Sequence, residues 1–351
     1  MAKNLAEKGY FVSIWDPLTE VVEDINRNNT NSRFLLGVDL PKSILASSTI
    51  EDVVGEKDII LFATPSMYIL NTLKSMLHVP NIREGKSLIG VLTKGFLPGN
   101  RGPKLLLESM ENYLPGFYKD NLVYISGPSH AEEVARKKLT GLISASANGK
   151  NAIRIREVLT SPSLMVFSSF DAIGVQTCGA VKNVIAIGFG ILDSLMEFSE
   201  SFGDNTESLL LAAGLNEIQM IGRALGSSHD ETFTSIAGVG DLDVTCRSIY
   251  GRNRRFGKEI VLGRVTDRFN NIAELIENID ALGYLPEGAI AAKYVQELAA
   301  LYDLKLPICD AVYRILNKEI DPLSAVRTML HRLTGITGKD FLPSTPEETG
   351  P

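Results

Sequence analysis

Cysteine is scarce in this chain: Cys178, Cys246 and Cys309 are the only three, they lie far apart, and no two have C-x-x-C spacing. That excludes a disulfide framework and a cysteine-based zinc site, and it suits a reducing compartment. Each of the three reads as a small buried apolar residue. Four histidines, His78, His130, His229 and His331, are just as scattered, so no metal-ligand set is indicated. Basic charge is short as well, with 35 lysines and arginines against 42 aspartates and glutamates, a net charge of −7. A general nucleic-acid binder needs a basic face that this balance does not provide, although one local basic pocket for a small anion stays open. Long hydrophobic runs are missing too. The longest, Val184 to Leu192, includes two glycines and falls well below the roughly 20 residues of a membrane span. The opening MAKNLAEKGYFVSIWD mixes apolar residues with charges, unlike a signal peptide or an anchor, so the expected location is cytoplasmic.

What is present is enough apolar material for two cores: 351 residues, 44% of them hydrophobic. Residues 2–8 read as the end of a helix stopped by Gly9. Short β-branched and aromatic runs then predict strands at Tyr10–Trp15, Asp58–Ala63, Ser87–Leu92, Leu122–Ser126, Gly141–Ala145 and Leu164–Ser168, with helical stretches between most of them. Strands alternating with helices imply a doubly wound, mostly parallel α/β sheet over 1–173. Beyond that point strand-like runs give way to helical periodicity at 175–200, 204–226, 231–236, 252–262, 270–281, 287–302, 307–317 and 321–334. The expected organisation is therefore an α/β domain, an all-helical domain over 174–340, and a disordered tail over 341–351.

Ligands in an open parallel sheet sit beyond the carboxyl ends of the strands, which directs attention to the loops there. Thr93-Lys94-Gly95 places a lysine at one such end. Ser126-Gly127-Pro128-Ser129 exposes backbone N–H groups and a hydroxyl at another. In GVQTCGAVKNVIAIGFG (174–190), Lys182 and Asn183 interrupt a helix of small and apolar residues. Burial there would disfavour the charged amine and suit it to acid–base work; alternatively Gln176, Gly179, Lys182 and Asn183 mark an exposed stripe. AGVGDLDVTCRSIYGRNRRFG (237–257) presents Asp241 after a glycine turn, Thr245 one helical turn later, and then three arginines within four positions, Arg252, Arg254 and Arg255, around Asn253. An arginine fork beside an amide suits a phosphate; a solvated basic patch is the other reading. Leu285-Pro286-Glu287-Gly288 precedes a further helix, where Glu287 fits an ordinary acidic residue of a first turn.

Together and in this order, TKG, ISGPS, GAVKNVIAIGFG, AGVGDL, GRNRRFG and PEG resemble the bacterial NAD(P)-dependent glycerol-3-phosphate dehydrogenases, over roughly residues 2 to 335. The resemblance implies a Rossmann-type sheet domain followed by an all-α domain. It also implies reversible hydride transfer between a nicotinamide cofactor and the C2 of dihydroxyacetone phosphate or sn-glycerol 3-phosphate, a supply of glycerol phosphate for phospholipid synthesis, and a homodimer. Carried onto this sequence, Lys182 becomes the acid–base group. Lys94 helps bind the substrate and stabilises the developing oxyanion. Asp241 and Thr245 hold Lys182 and the substrate hydroxyl. Arg252 and Asn253 grip the phosphate, and Gly127, Ser129, Asn183 and Gly251 match further substrate positions. Lys94, Ala131, Arg252, Leu285 and Glu287 match positions near the cofactor. Asp16, at the end of the first run, would accept from a ribose 2′-OH and so favour NAD over NADP; an Asp-Pro turn is the alternative.

The sequence also departs from the pattern. Members of this family begin with a strand and a G-x-G-x-x-G/A turn that holds the cofactor pyrophosphate. Here Gly9 is the only glycine before Gly37, and about 20 residues of that first strand and loop have no counterpart. Loss of a central strand would leave its neighbours with open edges. The uncapped helix at the start favours a start codon assigned too far downstream over a shortened gene. Two further readings stay open: a remnant that binds a phosphorylated triose without cofactor, and a related 3-hydroxyacid or 6-phosphogluconate-type dehydrogenase, against which the RNRR segment speaks.

Overall fold

A computed structural model describes residues 1–248 and 250–326. The tail over 341–351 and residues 327–334 of the last helical stretch lie outside them. The chain divides into two compact units, Met1–Leu97 with Leu105–Gln176, and Pro98–Lys104 with the chain from Thr177 onward. The division falls inside a helix, three residues beyond the change of pattern at 173. Hydrophobic periodicity reports where element type changes; it does not report where contacts switch from one core to another.

Besides short pairs at Thr30–Asn31 with Leu35–Asp39 and at Phe96–Leu97, the first unit carries strands β1 (Ser13–Trp15), β2 (Leu45–Ser47), β3 (Ile59–Phe62), β4 (Leu88–Val91), β5 (Val123–Ser126), β6 (Thr140–Ala145) and β7 (Leu164–Ser169). Five of them form one sheet in the order β7–β6–β5–β4–β3, and β1 pairs with β2 in a separate parallel ladder. β3 and β4 run parallel in the register Ile59↔Leu88, and β4 and β5 run parallel from Gly90↔Val123. The three carboxyl ends therefore face the same way and carry the loops at Ala63–Pro65, Thr93–Gly95 and Gly127–Ser129. The junction of β5 with β6 is antiparallel, with Ile143 opposite Ser126. The link between these strands holds only the five-residue helix Ala131–Ala135, too little to cross the sheet and return. β2 escaped the sequence reading because three residues are too few to show a period. Among the described residues β1 pairs only with β2 and β3 only with β4, so one edge of each is open.

Helix α1 (Ala2–Glu7) ties these pieces together. Met1 and Leu5 pack on the sheet cluster of Leu88, Val123, Ile125, Leu142, Ile155 and Val166. Ala6 belongs to the cluster that holds Val21, Ile25, Leu40 and Ile44. The Lys8 ammonium donates to the carbonyls of Val158 (2.6 Å) and Thr160 (2.5 Å) at the end of α2 (Gly149–Leu159), where a cation meets the unpaired carbonyls of a helix terminus.

The second unit is helical: α3 (Ala172–Met196, whose first turn belongs to the first unit), α4 (Asp204–Ala224), α5 (Asp241–Arg247), α6 (Arg252–Val261), α7 (Glu287–Tyr302) and α8 (Pro307–Leu316). By length and composition α3 could cross a membrane, yet 94% of its apolar window is buried inside the protein, which makes it the core helix. Its glycines account for the way it packs. A Cβ at Gly190 would overlap the Arg254 carbonyl, and one at Gly257 would overlap the Ile187 carbonyl and stand 3.0 Å from the Gly190 Cα. Backbone touches backbone where α3 crosses α6, which only side-chain-free positions permit. Glu217 of α4 is buried and accepts from the N–H groups of Ile308 (2.6 Å) and Cys309 (3.0 Å), capping α8, which has no side-chain cap of its own.

Three stability outcomes are expected. Gly257→Ala should cost about 1–3 kcal/mol in urea unfolding through overpacking at the helix crossing. Gly116→Ala, with nothing within 4 Å of the added methyl, should stay within about 0.5 kcal/mol of the parent. Desolvation raises the Glu217 carboxyl above its ordinary value of 4.5, against the two backbone N–H bonds that lower it. The folded chain thus holds this proton more tightly than the unfolded one. The associated stability is present at low pH and declines as pH rises above 4.5 through the folded value. Unfolding curves across that range should show the parent losing stability relative to Glu217→Gln; equal slopes for the two proteins would refute it.

Candidate active site

Lys182 sits in the middle of α3. The exposed-stripe reading of this helix does not hold: Gln176, Lys182 and Asn183 are exposed by only 3%, 5% and 5%. A buried ammonium requires a countercharge, and Asp241, exposed by 1%, forms an ion pair with it. The Thr245 hydroxyl also accepts from Lys182 Nζ at 2.8 Å. Thr245 spends its own proton on the Asp241 carbonyl at 2.6 Å, so toward the lysine its oxygen can only accept. Asp241 is placed by a π-helical turn, Ile236–Gly240, anchored where the Ser235 hydroxyl accepts from Ala237 N at 3.1 Å. Gly238 lets that turn pass against the Phe233 carbonyl. Cys246 beside this group is fully buried, and burial pushes its thiol well up, so it remains protonated and apolar.

The arginine cluster divides. Arg254 is held by Asp193 through two bonds of 2.7 and 2.9 Å, and Arg255 by Glu259 at 2.7 Å with its guanidinium over the Tyr284 ring. Both are structural ion pairs, so the fork of three arginines reduces to one. Arg252 is exposed and has no ion-pair partner among the described residues. It stands at the first position of α6, which opens at Gly251 without a side-chain cap, so the first-turn N–H groups have no capping side chain. Gly251 is buried tightly, its would-be Cβ 3.0 Å from the Thr245 carbonyl. Asn253, also buried, donates to Asn183 Oδ1 at 2.9 Å and accepts from Gly288 N at 2.9 Å. These bonds bring the chain at 182–183, the start of α6 and the start of α7 into one cluster. Leu285 and Glu287 flank that start of α7.

In the sheet unit Lys94 is half-buried just beyond β4, followed by Gly95 at φ +133°. The Thr93 hydroxyl donates to the Thr64 carbonyl at 2.6 Å, pinning the loops after β4 and β3 together. Gly127 has φ +130° and no room for a Cβ, which would lie 2.8 Å from the Gly141 carbonyl. The Ser129 hydroxyl donates back to the Gly127 carbonyl at 3.0 Å, and Ala131 opens the short helix behind it. Asp193 and Thr64 were not singled out from the sequence, since a lone aspartate on a helix and a threonine in a loop carry no motif.

A dinucleotide can be tested against these residues. Asp16, at the end of β1, accepts from Leu18 N at 2.9 Å as an Asp-Pro turn does, and its second oxygen has no partner among the described residues, so a ribose hydroxyl fits there. Thr64 Oγ1 is buried beside Thr93 with no hydrogen-bond partner, a group that a ligand's polar atom would satisfy. The pyrophosphate is different. The glycines up to β3 are Gly9, Gly37 and Gly55, each isolated, and they make no glycine-rich turn after a strand.

Comparison with known proteins gives the family. Residues 1–152 match the family model of the NAD-dependent glycerol-3-phosphate dehydrogenase N-terminus, and residues 171–327 match that of its C-terminus. A glycerol-3-phosphate dehydrogenase [NAD(P)+] of Treponema denticola is 51% identical over 336 residues, 94% of each chain. The Lactobacillus helveticus protein of the same description is 33% identical, over 93% of this chain and 92% of its own. The crystal structure of glycerol-3-phosphate dehydrogenase from Coxiella burnetii superposes with a TM-score of 0.81 at 30% identity, covering 94% of both chains. The chain belongs to the NAD-dependent glycerol-3-phosphate dehydrogenase family.

Proposed function

We propose that the chain interconverts dihydroxyacetone phosphate and sn-glycerol 3-phosphate. The observation that carries this reading is the buried Lys182–Asp241–Thr245 group, joined through Asn183 and Asn253 to the helix start that bears Arg252. It combines a proton-carrying amine with an exposed cation at a helix start that has no side-chain cap. When bound, a nicotinamide cofactor supplies the hydride to C2 or takes it back. Lys182 Nζ gives a proton to the C2 oxygen as the hydride arrives, and Asp241 balances the charge before and after that transfer. Arg252, with the first-turn N–H groups of α6, binds the phosphate; the dianion meets both a cation and the positive end of a helix.

The other roles follow the family pattern. Lys94 stabilises the developing oxyanion, and Gly127, Ser129, Asn183, Thr245, Gly251 and Asn253 contribute to substrate binding. Asp16, Lys94, Ala131, Arg252, Leu285 and Glu287 serve the cofactor, with the Asp16 carboxylate favouring NAD over NADP. The cellular reading is a cytoplasmic homodimer that supplies glycerol phosphate to phospholipid synthesis.

Lys182→Ala should lower kcat by about 10²–10⁴-fold in NADH oxidation assays, with cofactor affinity by calorimetry left intact; near-parental turnover would remove the proton-donor role. Arg252→Ala should raise KM for dihydroxyacetone phosphate by about 10–100-fold, the worth of a charged hydrogen bond, and should lower activity on unphosphorylated dihydroxyacetone by a smaller factor. Triose-phosphate binding in the parent without any cofactor binding would favour a binding protein over an enzyme.

A further inference from the structure

Asn253 has a use that the phosphate role does not cover. Side-chain amides can be turned either way, and the hydrogen-bond network decides which way each one faces. Here the network leaves no freedom. The Gly288 backbone N–H can only donate, and it meets Asn253 at 2.9 Å, so the atom facing it is the Asn253 oxygen. The Asn253 nitrogen must then lie on the other side, where it donates to Asn183 at 2.9 Å. The Asn183 atom that receives this bond is therefore its oxygen. Its nitrogen, with both hydrogens, is turned away. That nitrogen has no hydrogen-bond partner among the described residues, although Asn183 is only 5% exposed, and it is not one of the side-chain atoms sealed from solvent. Polarity set by one backbone N–H at the start of α7 is passed through two side chains to a pair of open donors beside Lys182.

We propose that Asn253 is a positioning residue that locks the Asn183 amide as a donor-only contact for the substrate. The inference rests on the functional reading above. Its consequence is selectivity for an oxygen acceptor at that point of the substrate, a carbonyl, hydroxyl or phosphate oxygen, and rejection of an amino group in the same place. The Gly288 position is part of the device. Its Cα lies against the Asn183 carbonyl, and an added Cβ would overlap that oxygen, so only glycine brings the N–H within reach of Asn253.

Asn253→Asp tests the relay with little change of shape. The aspartate can still accept from Gly288 N, yet it offers only lone pairs to the Asn183 oxygen. Two acceptors at that separation repel, and Asn183 turns its nitrogen toward residue 253. Two readouts apply. In ¹⁵N-edited spectra of the full chain, the side-chain NH₂ of Asn183, assigned by its loss in Asn183→Asp, should show one proton moved downfield in Asn253→Asp. In calorimetry, Kd for sn-glycerol 3-phosphate should rise by about tenfold or more in Asn253→Asp and in Asn183→Ala, and the double variant should lose less than the two single losses combined, because part of the effect of the first residue passes through the second. Additive losses in the double variant, or an unmoved Asn183 amide signal, would overturn the relay. A parent that binds no glycerol 3-phosphate while the amide signal moves as expected would leave the relay standing and remove the substrate assignment. Comparable thermal melting midpoints for the variants separate these outcomes from a loss of fold.

Discussion

The helical unit depends on the burial of one ammonium group. Taking the Lys182 amine out of water costs several kcal/mol unless a countercharge and further hydrogen bonds go with it. Asp241 and Thr245 supply both. Much of the surrounding architecture serves to keep those two residues in place. A π-helical turn sets the start of α5, a serine side chain anchors the turn, and a glycine lets it pass against the Phe233 carbonyl. Thr245 sits one helical turn after Asp241, so a single short helix presents the carboxylate and the hydroxyl to the same amine.

Glycines determine how the neighbouring helices reach this point. Gly190 and Gly257 bring the backbones of α3 and α6 into contact, and Gly288 brings the start of α7 against α3. With side chains at these positions the helices would stand farther apart, and amide bonds of 2.9 Å between Asn183, Asn253 and Gly288 could not form. The close crossing therefore has a chemical purpose as well as a packing one: it fixes the spacing between the amine-bearing turn and the anion-binding helix start. The ion pair of Arg254 with Asp193 of α3 holds α6 in rotation, and the Arg255–Glu259 pair within α6 occupies a second arginine, which leaves Arg252 without an ion-pair partner among the described residues.

The sheet unit solves a different problem, joining the five-stranded sheet to the β1–β2 ladder. Helix α1 does this by giving Met1 and Leu5 to one cluster and Ala6 to the other, while Lys8 closes the end of α2. The carboxyl ends of β3, β4 and β5 then share one direction, and the Thr93–Thr64 bond ties two of their loops together. Among the described residues β1 pairs only with β2 and β3 only with β4, which leaves one edge of each strand open.

The amino-acid sequence alone determined the element types, because burial imposes its period on each segment. The runs at 59–62, 88–91, 123–126, 140–145 and 164–169 and the helices at 172–196, 204–224, 252–261, 287–302 and 307–316 are where hydrophobic spacing put them. It also marked Lys182, since a charged side chain set among small apolar residues must find a partner or a ligand to offset its lost hydration, and it marked Asp241 and Thr245 after a glycine turn and Arg252 within a local excess of arginine. Three-residue β2 and seven-residue α5 were not legible, being too short for a period. Tertiary structure decided what spacing cannot encode: which arginine of 252–255 stays unpaired, which partner neutralises Lys182, and which way the amides of Asn183 and Asn253 face. Each of these depends on a group from a distant segment, Asp193, Asp241 or Gly288, and a linear pattern carries no information about which distant atoms meet.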